Sequence, residues 1–171
     1  MSDEVTPDLV ALRMAVQTEI DGYEFYTRAA AQAGHPRTRA LFESVARDEV
    51  AHREWLEAQE ASLRQHGRWL SGTGRPMPPQ GTTEGLPIFS EDEIVDITAH
   101  TSELTALRTA VLIEQDAMNF YERAAEQTGD PAGKEMYRFL ADFEREHRRV
   151  LEEEYTFLMG VFRDAMGFAP F

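Results

Sequence analysis

"RDEVAHREWL" (47–56) and "DFEREHRRVL" (142–151) decide the fold, because each carries Glu-x-x-His: Glu49 with His52, and Glu144 with His147. Side chains three apart share one face of a helix, so each pair points one way as a unit. Facing solvent, these would be ordinary surface charges. Facing a core, they would need something to neutralise them.

Sliding the sequence on itself by 95 residues lays "LRMAVQTEIDGYEFYTRAAAQAGHP" (12–36) over "LRTAVLIEQDAMNFYERAAEQTGDP" (107–131). Over 12–57 against 107–152, 20 of 46 positions are identical without a gap. The chain is therefore two copies of one helical hairpin. Thr6 before Pro7 predicts an N-cap with Pro at the first helical position, opening a helix that runs to about Ala33. "GHP" (34–36) and "GDP" (129–131) are the turns within each hairpin, with Asp130 a second cap. The second helix is expected to end near His66, the third to open near Thr101 or Ser102, and the fourth to span Pro131 to about Arg163. Hairpin 1 thus covers about 7–67, a crossover about 68–100, and hairpin 2 about 101–165, followed by an apolar C-terminal tail. Within the crossover, "SGTGRPMPPQGTTEGLP" (71–87) is too rich in Gly and Pro for a helix, while Ser90 and Glu93 form a capping box for a short extra helix, "EDEIVDI". The expectation is a single all-α domain, a four-helix bundle with one long connection, the layout of ferritin-like bundles.

Alternating steps of three and four residues pick out the inward row of each helix. The first gives Leu12, Val16, Glu19, Tyr23, Tyr26 and Ala30; the third gives Leu107, Val111, Glu114, Met118, Tyr121 and Ala125. The second gives Phe42, Val45, Glu49, His52 and Leu56; the fourth gives Tyr137, Leu140, Glu144, His147 and Leu151. Every row is apolar except at its middle. Four carboxylates cannot all stay ionised in a core unaided, since desolvating one charge costs several kcal/mol or forces protonation. Two divalent cations would balance them, and carboxylate with imidazole suits iron or manganese, with zinc compatible with the same ligands. The expected metal ligands are Glu19, Glu49, His52, Glu114, Glu144 and His147.

Tyr26 and Tyr121, seven residues after the inward glutamates, read either as core aromatics or as phenols hydrogen-bonded to a ligand carboxylate. Asp48 is placed to orient an imidazole, although its repeat counterpart is Phe143. His35, His66 and His100 fall in or near turns and read as surface residues, as do most of the remaining acids.

Composition narrows the function. With no Cys, there are no disulfides, thiolate metal sites, iron–sulfur centres or cysteine nucleophiles. A net charge of −14 argues against nucleic-acid binding. The absence of a basic leader or a long apolar run favours the cytoplasm and no membrane.

Through "EIDGYEFYTRAA", "RDEVAHREWL", "EQDAMNFYERAA" and "FEREHRRVL" the chain resembles the rubrerythrin-like branch of the ferritin-like superfamily. That resemblance implies a di-iron centre in which Glu49 and Glu144 bridge the ions, Glu19 and Glu114 are terminal carboxylates, and His52 and His147 are terminal imidazoles. Rubrerythrins proper also carry a cysteine-ligated rubredoxin module, and they place a further Glu where this chain has Ala117. The implied activity is oxidation of the centre by dioxygen or hydrogen peroxide, as a ferroxidase- or peroxidase-like oxidoreductase with an external electron donor. The alternative is a protein that stores or delivers iron without catalysis. A chain of two fused hairpins is expected to be a monomer or homodimer, with "FLMGVFRDAMGFAPF" (157–171) either folded back or in a dimer contact.

Overall fold

The computed structural model describes residues 6–70 and 97–167, except the side chains of 97–100 and 165. Four helices follow in order: α1 (Pro7–Gln32), α2 (Pro36–His66), α3 (Ile97–Gln127) and α4 (Pro131–Ala165). No strand occurs among the described residues. Thr6 Oγ1 accepts from the Leu9 N–H at 3.3 Å and Asp130 Oδ1 from Ala132 at 2.8 Å, so both expected caps form. The end of α2 is set by Gly67, whose φ of 65° closes the helix in the left-handed region that glycine occupies without strain.

The helix boundaries differ from expectation at the start of the second hairpin. α3 is already helical at Ile97, ahead of Thr101 and Ser102, because neither residue forbids a helix interior and no Gly or Pro lies between Pro87 and either of them. α4 runs through Ala165, close to its expected end, so most of the apolar segment from Phe157 is helix, anchored by the fully buried Leu158. The loop expected at 71–87, the short helix after Ser90 and the last residues, 168–171, lie outside the described residues.

Helix α1 packs chiefly on α2, and α3 on α4, with α1 against α3 and α2 against α4 joining the hairpins. Leu12 shares a core cluster with Tyr121 and Ala125, whereas Tyr26 shares another with Leu107 and Ala110. α1 and α3 are therefore antiparallel neighbours. The two clusters form separate apolar layers, and the buried Glu and His side chains lie between them. One inward row is corrected: Tyr23 is exposed, and Gly22 takes its place. Steps of three or four from Glu19 both satisfy the period; glycine wins because it lets α2 approach closely.

Three residues read as surface groups are buried at one end of the bundle. His35 opens α2, its N–H donates to Glu103 at 2.6 Å, and its ring meets Phe157 edge-on at 5.8 Å. Glu154 accepts from Arg37 Nε at 2.6 Å and from Thr38 Oγ1 at 2.8 Å. Glu103 and Glu154 thereby tie the first turn to the second hairpin, which is why burying both is tolerated. His66 is exposed as expected, and the His100 side chain is outside the described residues.

Candidate metal centre

Each helix contributes to the polar belt from its middle turns, and Glu19, Glu49, His52, Glu114, Glu144 and His147 are all buried there. The two oxygens of Glu144 divide between the two imidazoles: Oε1 is 3.3 Å from His52 Nδ1, and Oε2 is 3.0 Å from His147 Nδ1. Glu19 Oε2 lies 3.2 Å from His52 Nδ1. On the other side, His147 Nδ1 is 3.7 Å from Glu49 and 3.9 Å from Glu114. Two sets of donor atoms each converge to within 4.8 Å: Glu19, Glu49 and His52, and Glu49, Glu114, Glu144 and His147. Glu49 belongs to both, and Glu144 reaches both histidines. The arrangement is two adjoining groups of donors that could each hold a cation, joined by Glu49 and by the reach of Glu144, with both Nδ1 atoms turned inward.

The tyrosines cross between repeats. Tyr26 on α1 donates to Glu114 on α3, and Tyr121 on α3 donates to Glu19 on α1. Burial, with Glu114 and Glu49 for Tyr26 and Glu19 and Glu144 for Tyr121, pushes both phenols well above their usual range, so they are donors at all ordinary pH.

The outer nitrogens of the imidazoles differ. His147 Nε2 lies 3.2 Å from Asp48 of α2, at the rim of the belt. His52 Nε2 has no hydrogen-bond partner, and the Phe143 ring stands edge-on to the imidazole at 4.6 Å. The duplicated positions 48 and 143 thus treat the two halves unequally. Replacing Asp48 by Ala should weaken one of two bound metals by about 10–100-fold, the usual effect of losing a carboxylate behind a metal-bound histidine. A two-site calorimetric titration checks this, and equal weakening of both sites would show that Asp48 does not act through His147.

Gly22 was missed in the sequence as part of the site. A Cβ there would lie 3.1 Å from Glu49 Oε2, so its absence makes room for the carboxylate. Its repeat counterpart is Ala117, and two small residues three positions after the paired glutamates are the signal that could have found it.

Without cations, protons balance the belt. Burial and the neighbouring Glu19 and Glu144 charges push Glu49 well above the carboxylate range, and burial with Glu144 raises Glu114 to about 8. Burial opposes charge on His52, but Glu144 and Glu19 overcome it and raise the imidazole to about 9. Burial likewise opposes charge on His147, which Asp48, Glu114 and Glu144 raise further. Glu144 is held below the usual range despite burial, because it faces both imidazoles. Folded Glu114 and His52 therefore keep protons that the unfolded chain releases near 4.5 and 6.5. The stability they contribute is full below those values and lost as pH rises through about 8 and about 9. Chelator-treated protein should melt at a lower temperature at about pH 9 than at about pH 6, and metal binding should release protons and tighten with pH. Melting curves with and without chelator at the two pH values test both signs.

Fold and site together define the class: a ferritin-like four-helix bundle with a buried carboxylate–histidine cluster. Residues 10–73, the first hairpin and the segment after it, match the model of the Rubrerythrin family, a family of that superfamily. That match agrees, over the first hairpin, with the resemblance seen in the sequence. A solved structure titled a hypothetical protein from Pyrococcus furiosus is 22% identical, with a TM-score of 0.67 over 93% of this chain and 94% of its own, a likeness of fold. No curated protein matches the chain. No helix among the described residues is long and apolar enough to cross a membrane.

Proposed function

We propose that the protein is a di-iron carboxylate oxidoreductase whose centre reacts with hydrogen peroxide or dioxygen. The observation that carries this reading is the convergence of four glutamates and two inward Nδ1 atoms in a water-excluded belt, where Glu144 Oε1 is buried without a hydrogen bond. That donor set fits two divalent ions: Glu19 and His52 would serve one, Glu114 and His147 the other, and Glu49 and Glu144 both. Two adjacent irons would supply two electrons in one encounter, the number that reduces hydrogen peroxide to water.

The protein's own part is positioning and proton handling. Tyr26 and Tyr121 restrain the terminal carboxylates by their crossed hydrogen bonds. The apolar layers on either side keep bulk water away. Glu49 and Glu114 hold protons in the metal-free belt and would give them up as cations bind. With no Cys in the sequence, sustained turnover calls on an external electron donor.

Anaerobic titration of metal-free protein with Fe(II), followed by peroxide or dioxygen with near-ultraviolet detection, tests the reading. The expected result is saturation at two irons per chain and a new ferric absorption on adding oxidant. Two irons that ignore both oxidants would make the protein an iron carrier, and no stoichiometric binding would overturn the metal reading itself.

A further inference from the structure

One side of the belt opens onto a run of oxidisable rings. Tyr121, bonded to Glu19, stacks on Tyr137 with centroids 6.2 Å apart and planes at 25°. Tyr137 in turn meets Trp69 edge-on at 5.7 Å. Trp69 lies just beyond the end of α2, with 7% of its surface exposed.

Its place is built. Gln59 holds the Leu70 backbone through both N–H and C=O, at 2.8 and 3.2 Å, and Ser62 Oγ donates to the Arg68 carbonyl at 2.8 Å. Gly133 makes room for the indole, since a Cβ there would sit 2.6 Å from Trp69 Cε2.

The internal repeat is a control for ordinary packing. Tyr26, counterpart of Tyr121, has Phe25 at 5.2 Å and Phe42 at 6.1 Å, and neither phenylalanine is readily oxidised. Phe42 is the counterpart of Tyr137, Asp164 of Trp69, Glu154 of Gln59 and Phe157 of Ser62. Phenylalanine thus fills the same core position in the other half, whereas the Tyr137 hydroxyl is buried without a hydrogen-bond partner. A buried hydroxyl without a partner is destabilising, and packing does not account for it. What it adds is a more electron-rich ring between Trp69 and Tyr121.

We infer that Trp69, Tyr137 and Tyr121 form a one-electron path between the buried centre and the surface at the end of α2. An electron leaves the Trp69 indole, crosses the Tyr137 ring and fills an oxidised Tyr121. The proton that Tyr121 had passed to Glu19 returns to the phenol oxygen. Trp69, one electron short, is refilled by a soluble one-electron reductant. The Tyr137 hydroxyl has no hydrogen-bonded acceptor for its proton, so it bridges and does not itself hold the radical. The inference rests on the reading of the centre as redox-active: where the centre gives peroxide only one of the two electrons that its reduction to water takes, Tyr121 gives the other, and that is the vacancy the path refills.

The path runs both ways, so it can be tested on metal-free full-length protein, apart from the iron titration. In a Trp55→Phe background, azidyl radical generated by pulse radiolysis takes an electron from Trp69, giving azide, and the indole proton goes to water. Tyr121 then refills the indole, which regains a proton, while the phenol proton passes to Glu19. The expected result is conversion of the indolyl to a phenoxyl radical at a rate independent of protein concentration. Adding Tyr121→Phe or Tyr137→Phe should slow it at least about tenfold, a barrier change that absorption kinetics resolve readily. Adding Tyr23→Phe, at an exposed tyrosine outside the belt, should leave it unchanged, and W69F, which keeps Trp55, should show no such conversion. Equal rates with and without Tyr121, or an indolyl radical that decays only between molecules, would overturn the path whatever the iron titration gives.

Discussion

Glu49→Ala or Glu144→Ala should reduce the iron bound from two per chain to one or none, because each carboxylate faces both halves of the belt. Removing either leaves the remaining glutamates and imidazoles without a shared anion, and neither pair of end ligands closes a site alone. Glu24→Ala is the control. Glu24 lies on α1 close to the site in sequence, but its side chain is 59% exposed and pairs only loosely with Arg28 at 3.9 Å. Metal analysis after gel filtration of iron-loaded protein distinguishes the variants. Equal iron content in all three would refute the assignment of shared carboxylates.

Arg37→Ala should cost about 3 kcal/mol of stability, the low end for breaking a buried ion pair. The Glu154 side chain is fully buried, and the substitution would leave it only the Thr38 hydroxyl. The low end is apt because Arg37 itself is 16% exposed and a little screened. Its guanidinium also sits 4.3 Å over the Phe157 ring, a cation–π attraction that alanine cannot supply. Adding Glu154→Gln should recover part of the stability by removing the unpaired charge. Arg28→Ala, which breaks an exposed pair, should stay within about 0.5 kcal/mol. Urea unfolding of the metal-free variants measures these differences, and an Arg37→Ala protein as stable as Arg28→Ala would show that Glu154 needs no ionic partner.

Much of the architecture could be read directly. The repeat gave two hairpins, the Pro and cap residues gave three helix starts, and the heptad-like rows placed all six polar residues on the inward faces. These features are local or periodic, so neighbouring residues encode them. Tyr23 shows where periodicity stops deciding: residues 22 and 23 both fit a step from Glu19, and only the close approach of Glu49 across the hairpin selects Gly22.

His35, Glu103 and Glu154 look like surface residues because their types usually are. They are buried because their partners come from the other hairpin, and no single segment contains both members of any pair. The same reason explains the tyrosines. The sequence left each as a core aromatic or a phenol bonded to a ligand carboxylate, and the crossing from Tyr26 to Glu114 and from Tyr121 to Glu19 required α1 and α3 to be antiparallel.

By itself, then, the sequence determined the helices, the duplication and the six groups that must face inward, since each follows from period, caps and the cost of burying charge. The tertiary structure alone decided how those groups divide into two adjoining sets, that the imidazole in front of Asp48 is that of His147 in the other hairpin, and that Trp69 reaches Tyr137 on one side only. Those outcomes depend on distances between helices, and helices with the same internal repeat become inequivalent only when their neighbours differ.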